Sequence, residues 1–207
     1  MMKCLRLAAI ALLGWSVAPA ARADVQLTER GPVAYLRSHR ILPGDAMALS
    51  EFLSRPRAEP LRIIYLDSRG GNTMVALRMA EMIHGQGLDT AFHVGRAHCA
   101  SECTTLFAGG IHRYYIGGAH VRDGIGTRYG LGFHPSSGGQ PLEDRVNAFY
   151  EEAGVPGAAQ LRYRLYPRET VNPALGRRDM FFASGRAATE AGVATSLSEP
   201  PDPRLRD

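Results

Sequence analysis

Apolar and polar positions recur along this chain with two periods, and the periods divide it into strands and helices. Residues 61–66 (LRIIYL) form a near-continuous apolar run, as expected of a parallel strand buried on both faces. The run ends in Asp67-Ser68-Arg69-Gly70-Gly71, after which Val75, Met79, Met82 and Ile83 fall at i, i+4, i+7 and i+8. That stripe predicts a helix over 72–85, closed by Gly85 and Gly87. Residues 88–94 (LDTAFHV) predict the next strand, and 98–110 (HCASECTTLFAGG) a turn leading into a short helix that stops at Gly109-Gly110. Upstream, 24–42 predict short strands. Pro43-Gly44-Asp45 predicts a helix start with Asp45 as N-cap, because Ala46, Leu49, Phe52 and Leu53 follow at helical spacing. Downstream, 113–116 and 130–133 are strand candidates around a Gly-rich loop, and 141–154, 157–166 and 184–192 are helices. The Pro-rich end, 197–207, predicts a disordered tail. Strand–helix–strand–helix–strand is the order of right-handed βαβ units in an α/β fold. Ligands of such folds sit at the carboxyl ends of strands, where the Gly70-Gly71 and Ser101 turns both lie.

The 207 residues, 45% of them hydrophobic, are enough for one domain with a real core, and no repeat predicts a solenoid. Residues 1–23 have the pattern of a secretory signal peptide: Lys3 and Arg6, a short apolar run from Leu7 to Val17, then Ala21-Arg22-Ala23. The run is shorter than the roughly 20 residues a spanning helix needs. We therefore expect export to a periplasmic location with cleavage after Ala23, an N-terminal membrane anchor being the alternative, and a single domain over 24–196. Cys4 precedes the apolar run, too early for lipid attachment.

Processing would remove Lys3, Arg6 and Arg22 and lower the formal charge from +4 to +1. No basic stripe remains, which excludes nucleic acid as the leading partner. Lys3 is the only lysine, so a Ser–Lys dyad, a Schiff-base lysine and a P-loop lysine are all excluded from the processed chain. Cys99 and Cys103 remain as an even pair in an oxidising compartment, open to a disulfide if their Cα atoms approach within about 7 Å.

Four features could carry chemistry, and each has a plainer explanation. Gly70 and Gly71 let backbone approach a ligand with N–H groups facing an anion, or simply make a tight turn. Ser101 opens a short helix, where a nucleophile's oxyanion gains from backbone N–H groups, or it is an ordinary N-cap. His134 ends a short apolar strand, as a general base or as a hydrogen-bonded loop histidine. Asp179, before Met180-Phe181-Phe182, could orient an imidazole or pair with Arg177 or Arg178. A metal site among His93, His98, Cys99, Cys103, His112 and His120 matches no common zinc spacing, so neither metal nor cofactor is expected.

Taken in order, Ser68-Arg69-Gly70-Gly71, Ala100-Ser101, Gly132-Phe133-His134-Pro135 and 178–194 (RDMFFASGRAATEAGVA) resemble the proteolytic subunit of Clp-type serine proteases, in the wider crotonase-like superfamily. Cys99-Ala100-Ser101-Glu102-Cys103 resembles a Cys-Ala-Ser-x-Cys signature of exported relatives. The resemblance spans about residues 40–194. It implies a ClpP/crotonase-like α/β fold, with repeated ββα units, a parallel sheet and flanking helices. It implies Ser101 as nucleophile, His134 as general base, Asp179 as the orienting carboxylate, and the Gly71 and Glu102 N–H groups as oxyanion hole. Two departures stand out. Arg69 replaces the family's proline, and Glu102 puts a carboxylate beside the oxyanion, where it must point away to avoid Coulomb repulsion. The expectation is an exported, ATP-independent serine hydrolase, a peptidase forming an acyl-enzyme on a peptide or protein substrate. No ATP-driven unfoldase partner is expected, and a homo-oligomer is left open. The alternative is a non-catalytic peptide- or partner-binding protein on the same fold.

Overall fold

A computed structural model describes residues 21–125, 129–136, 138–164 and 180–201. The first strands are β1 (Gln26–Arg30) and β2 (Val33–Ser38), an antiparallel pair. Helix α1 (Asp45–Leu53) follows. Asp45 is the first helical residue rather than the N-cap, which is Gly44; its carboxylate turns back to accept the Leu42 N–H at 2.8 Å. The apolar run becomes β3 (Ile63–Ser68), parallel to β2. Helix α2 (Thr73–Gly85) starts at Asn72, whose side chain accepts from the Val75 N–H, a cap that satisfies one of the free donors of the first turn. Val75, Met79 and Ile83 of the predicted stripe are buried.

Strand β4 (Asp89–His93) pairs with β3 along its first half, and β6 (Arg113–Ile116) extends that side. The last residue of β3, Ser68, pairs instead with Cys99 of the two-residue β5 (Cys99–Ala100). Beyond β5 lie β8 (Leu131–Phe133), β9 (Phe181–Ala183) and β7 (Gly124–Ile125). The sheet therefore forks at the carboxyl end of β3. Five of its strand pairings are parallel; β1 with β2, β8 with β9 and β7 with β9 are antiparallel. The expected α/β fold, with a mainly parallel sheet and flanking helices, is the fold found.

Helix α3 (Cys103–Ala108) is buried along its whole length and packs on α2. Helices α4 (Gln140–Glu152), α5 (Gly157–Arg162) and α6 (Gly185–Glu190) complete the chain. The core runs from Leu36, Ile64 and Leu66 of the sheet through Met79 and Ile83 of α2 to Phe107, Phe133 and Tyr150. Burying each such side chain is worth about 1.5–3 kcal/mol. Among the described residues no helix is long and apolar enough to cross a membrane. Of the expected signal segment only residues 21–23 are described, and of the expected tail only 197–201.

Candidate active site

Ser101 lies just beyond β5, in the fork of the sheet. Its N–H donates to the Gly132 carbonyl at 2.8 Å, which ties it to β8 and thus to His134 just beyond that strand. Among the described residues it is the only non-glycine residue with positive φ, at +55°. That conformation costs about 1–2 kcal/mol in an L-residue and persists where the surroundings fix it. Two constraints do so. Cys99 and Cys103 are joined by a disulfide across the turn, with Cα atoms 5.1 Å apart. Gly70, at φ +85°, presses its backbone against the turn so closely that a Cβ there would sit 2.5 Å from the Ser101 Cβ. Only glycine fits that approach.

The left-handed turn brings Ser101 Oγ to 2.7 Å from His134 Nε2. His134 is largely buried. Burial pushes its pKa down, the Arg162 charge adds to this, and Glu102, the Pro135 backbone and Glu143 only partly oppose it. These influences favour the neutral imidazole, the form that accepts a proton. Ser101 and His134 are thus brought together. Asp179, the expected third member, lies outside the described residues.

The two backbone groups expected to face an oxyanion belong to the chain neighbours of the packed residues: Glu102 follows Ser101, and Gly71 follows Gly70, whose backbone abuts the Ser101 turn. The Gly71 and Glu102 N–H groups have no hydrogen-bond acceptor among the described residues. Gly71 is held from behind: the Ile41 N–H donates to the Gly70 carbonyl at 2.8 Å and the Asn72 N–H to the Ile41 carbonyl at 3.0 Å. A Cβ on Gly71 would meet Ile41 backbone atoms at 2.5 Å. Free backbone N–H donors are the kind of group that stabilises developing negative charge.

The Glu102 side chain is buried. Its carboxylate accepts from the Thr73 and Thr105 hydroxyls, both at 3.0 Å, and pairs with Arg162 at 3.3 Å. Arg162 also pairs with Glu143 at 2.7 Å, and Glu143 accepts from the Ser136 N–H and, at 2.9 Å, from the Tyr163 hydroxyl. Burial raises the Glu143 carboxyl, but Arg162 and Ser136 outweigh it and hold it down to about 2. Arg162 itself is fully buried: desolvation lowers its pKa, yet Glu102, Tyr150 and Glu143 carry it well above its ordinary value. Neither Arg162 nor Glu143 was among the expected site residues. Glu143 carried a signal, since it shares a helix face with Val146 and Tyr150.

The cysteines and histidines of the crowded 93–120 region separate. Cys99 and Cys103 form the disulfide, and His112 Nδ1 lies 2.9 Å from an Asp89 carboxylate oxygen.

No family model matches the chain, and no curated protein matches it in sequence. Solved structures do share its fold. One is DspI of Pseudomonas aeruginosa, at 8% identity and TM-score 0.52, covering 94% of this chain and 74% of the other. A putative enoyl-CoA hydratase from Streptomyces coelicolor A3(2) aligns at 15% identity and TM-score 0.48, covering 94% and 74%. A methylmalonyl CoA decarboxylase complexed with 2S-carboxypropyl CoA aligns at 10% identity and TM-score 0.43, covering 86% and 69%. At such identities the likeness extends to the fold alone.

The expected serine peptidase is corrected at this point. The neighbours whose names give an activity are CoA enzymes, not peptidases.

Proposed function

We propose that this chain is an enzyme acting on acyl thioesters, with Ser101 and His134 as the reacting pair. The observation that carries this is the 2.7 Å contact between Ser101 Oγ and a histidine whose surroundings favour the neutral form. A neutral imidazole is the form that can take the serine proton, and a thioester needs no proton on its leaving group. A thiol, with an ordinary pKa near 8.5, leaves as thiolate, whereas an amine does not.

The thioester carbonyl oxygen would be held between the Gly71 and Glu102 N–H groups. As the Ser101 Oγ–carbon bond forms, His134 Nε2 takes the hydroxyl proton and the oxygen gains negative charge toward the two donors. The carbon–sulfur bond then breaks and the thiolate leaves. The histidinium passes the serine proton to water; neutral again, His134 takes the proton of an incoming hydroxyl acceptor as it attacks the acyl carbon, and returns it to Ser101 Oγ as the acyl–serine bond breaks. One oxyanion donor of this kind is worth about 2.7–4 kcal/mol. The disulfide supports an oxidising compartment and hence export.

The test is thiol release from a series of acyl thioesters of increasing chain length, followed with a thiol-reactive chromophore. Turnover that falls at least about a hundredfold in Ser101→Ala and His134→Gln is expected, with matched peptides untouched. Thioester turnover unchanged in Ser101→Ala would overturn the proposal.

A further inference from the structure

Asp45 is fully buried, and its carboxylate faces three backbone N–H groups: Asp24 at 2.7 Å and Val25 at 3.0 Å on Oδ1, and Leu42 at 2.8 Å on Oδ2. No cation pairs with it among the described residues. A buried carboxylate served only by neutral donors lacks the countercharge that burial ordinarily demands. The nearest of the three donors is the backbone nitrogen that cleavage after Ala23 would turn into the chain's α-amine.

We propose that removal of residues 1–23 places a new α-ammonium, that of Asp24, on the buried Asp45 carboxylate, and that this ion pair braces the turn presenting the Gly71 N–H. Hydrolysis of the Ala23–Asp24 bond by a processing peptidase consumes one water. It leaves a carboxylate on Ala23 and an amine on Asp24 that is protonated at neutral pH. The ammonium needs no large movement to reach Asp45, because the nitrogen already lies at hydrogen-bond distance.

From Asp45 the contacts lead to the site. The carboxylate fixes Leu42, and the neighbouring Ile41 donates to Gly70 and accepts from Asn72 on either side of Gly71. Cleavage also frees the Gly44 N–H, at the N-cap of α1, from the Arg22 carbonyl. The other charged groups around the new terminus are the Asp24 side chain, which accepts from the Arg40 N–H and the Ser38 hydroxyl, and His39. The ion pair depends on the fold; only its consequence for Gly71 rests on the thioester proposal.

The exported protein's N-terminus is read first, by intact mass, and Asp24 is expected. Three forms of the chain are then compared: one beginning at Asp24, the same form Nα-acetylated, and one retaining Ala21 to Ala23. In the first, the Asp24 α-amine should titrate about 1–3 units above its usual range, and the shift should be lost in Asp45→Asn. Amide exchange at Ile41 and Asn72 should be slower in the first form than in the other two. Acetylation removes the charge while keeping Asp45, so the comparison stands even if Asp45→Asn does not fold. An ordinary α-amine titration, exchange at Ile41 and Asn72 equal in all three forms, or a mature N-terminus other than Asp24 would each overturn the proposal. None of these readouts depends on thioester turnover, so a failure of the thioester proposal would be seen separately.

Discussion

Replacing Gly70 by alanine tests whether the Ser101 turn is held by close backbone packing. The new Cβ would stand 2.5 Å from Ser101 Cβ and 2.7 Å from both the Ala100 carbonyl oxygen and the Glu102 nitrogen. Unstrained carbon contacts lie at about 3.5–4.0 Å, and two of the three atoms are backbone, which cannot swing aside as a side chain could. Overpacking of this kind costs about 1–3 kcal/mol, and a left-handed φ of +85° adds about 1–2 kcal/mol for a non-glycine residue. The sum is a loss of roughly 2–5 kcal/mol, or a Tm lowered by about 5–15 °C in a chain of this size. Gly87→Ala supplies the control: its φ is +65° but nothing lies within 4 Å of its Cβ position, so it carries only the backbone cost of about 1–2 kcal/mol. The atoms that Gly70→Ala displaces belong to Ser101 and to the Glu102 N–H. A shift of about 1 Å at such groups costs on the order of a hundredfold in rate. Thermal unfolding followed by circular dichroism reads the first effect and thiol release from a thioester the second. If Gly70→Ala is no less stable than Gly87→Ala, or turns over thioesters like the parent, the packing argument is wrong.

Three further outcomes are expected. Arg162→Met leaves the Glu102 and Glu143 carboxylates buried without their cation and should cost about 3–5 kcal/mol in urea unfolding; a loss under about 1 kcal/mol would show that the network does not bear on stability. Because the folded pKa of His134 is depressed, its neutral form stabilises the fold fully above the unfolded value of about 6.5, and that contribution is lost as pH falls through the window between this and the lower folded value. Thioester turnover, which needs the same neutral form, should hold its plateau to below about pH 6.5, and an acid limb above that pH would contradict the electrostatics. Reducing the Cys99–Cys103 bond, which closes a very short loop, should cost about 2 kcal/mol and lower turnover by releasing Ser101 from its left-handed conformation; reduction with no effect on turnover would mean that Gly70 alone holds the turn.

The elements near the site were legible because their periodicity is local. The 75, 79, 83 stripe and the LRIIYL run each report burial within a few residues of themselves, so α2 and β3 fall within two residues of their expected bounds. The proximity of Ser101 to His134 was legible only through the resemblance. Nothing within either segment states that a two-residue strand would leave the side of β3 and place them at adjacent strand ends. Strand β9 was not foreseen, since three residues give no period to detect. Arg162 is an instructive omission. It lies 60 residues from Glu102 and 19 from Glu143, and a single arginine at the end of a short helix carries no signal of what it will meet. Glu143 did carry one: a carboxylate in register with Val146 and Tyr150 on an amphipathic helix needs a buried partner, and arginine is the residue suited to that role.

The same arrangement resolves the difficulty that Glu102 posed from the sequence. Its carboxylate is buried against Arg162, Thr73 and Thr105, while its backbone N–H has no acceptor among the described residues. An unpaired carboxylate there would oppose negative charge at the candidate oxyanion position and raise the pKa of His134, favouring the protonated form that cannot act as a base. Arg162 works against both effects. It pairs with Glu102, and its field lowers His134. Glu102 itself, with Tyr150 and Glu143 adding to it, keeps Arg162 charged in the interior. The resulting polarity suits a reaction that begins with a neutral base and builds negative charge on an oxygen.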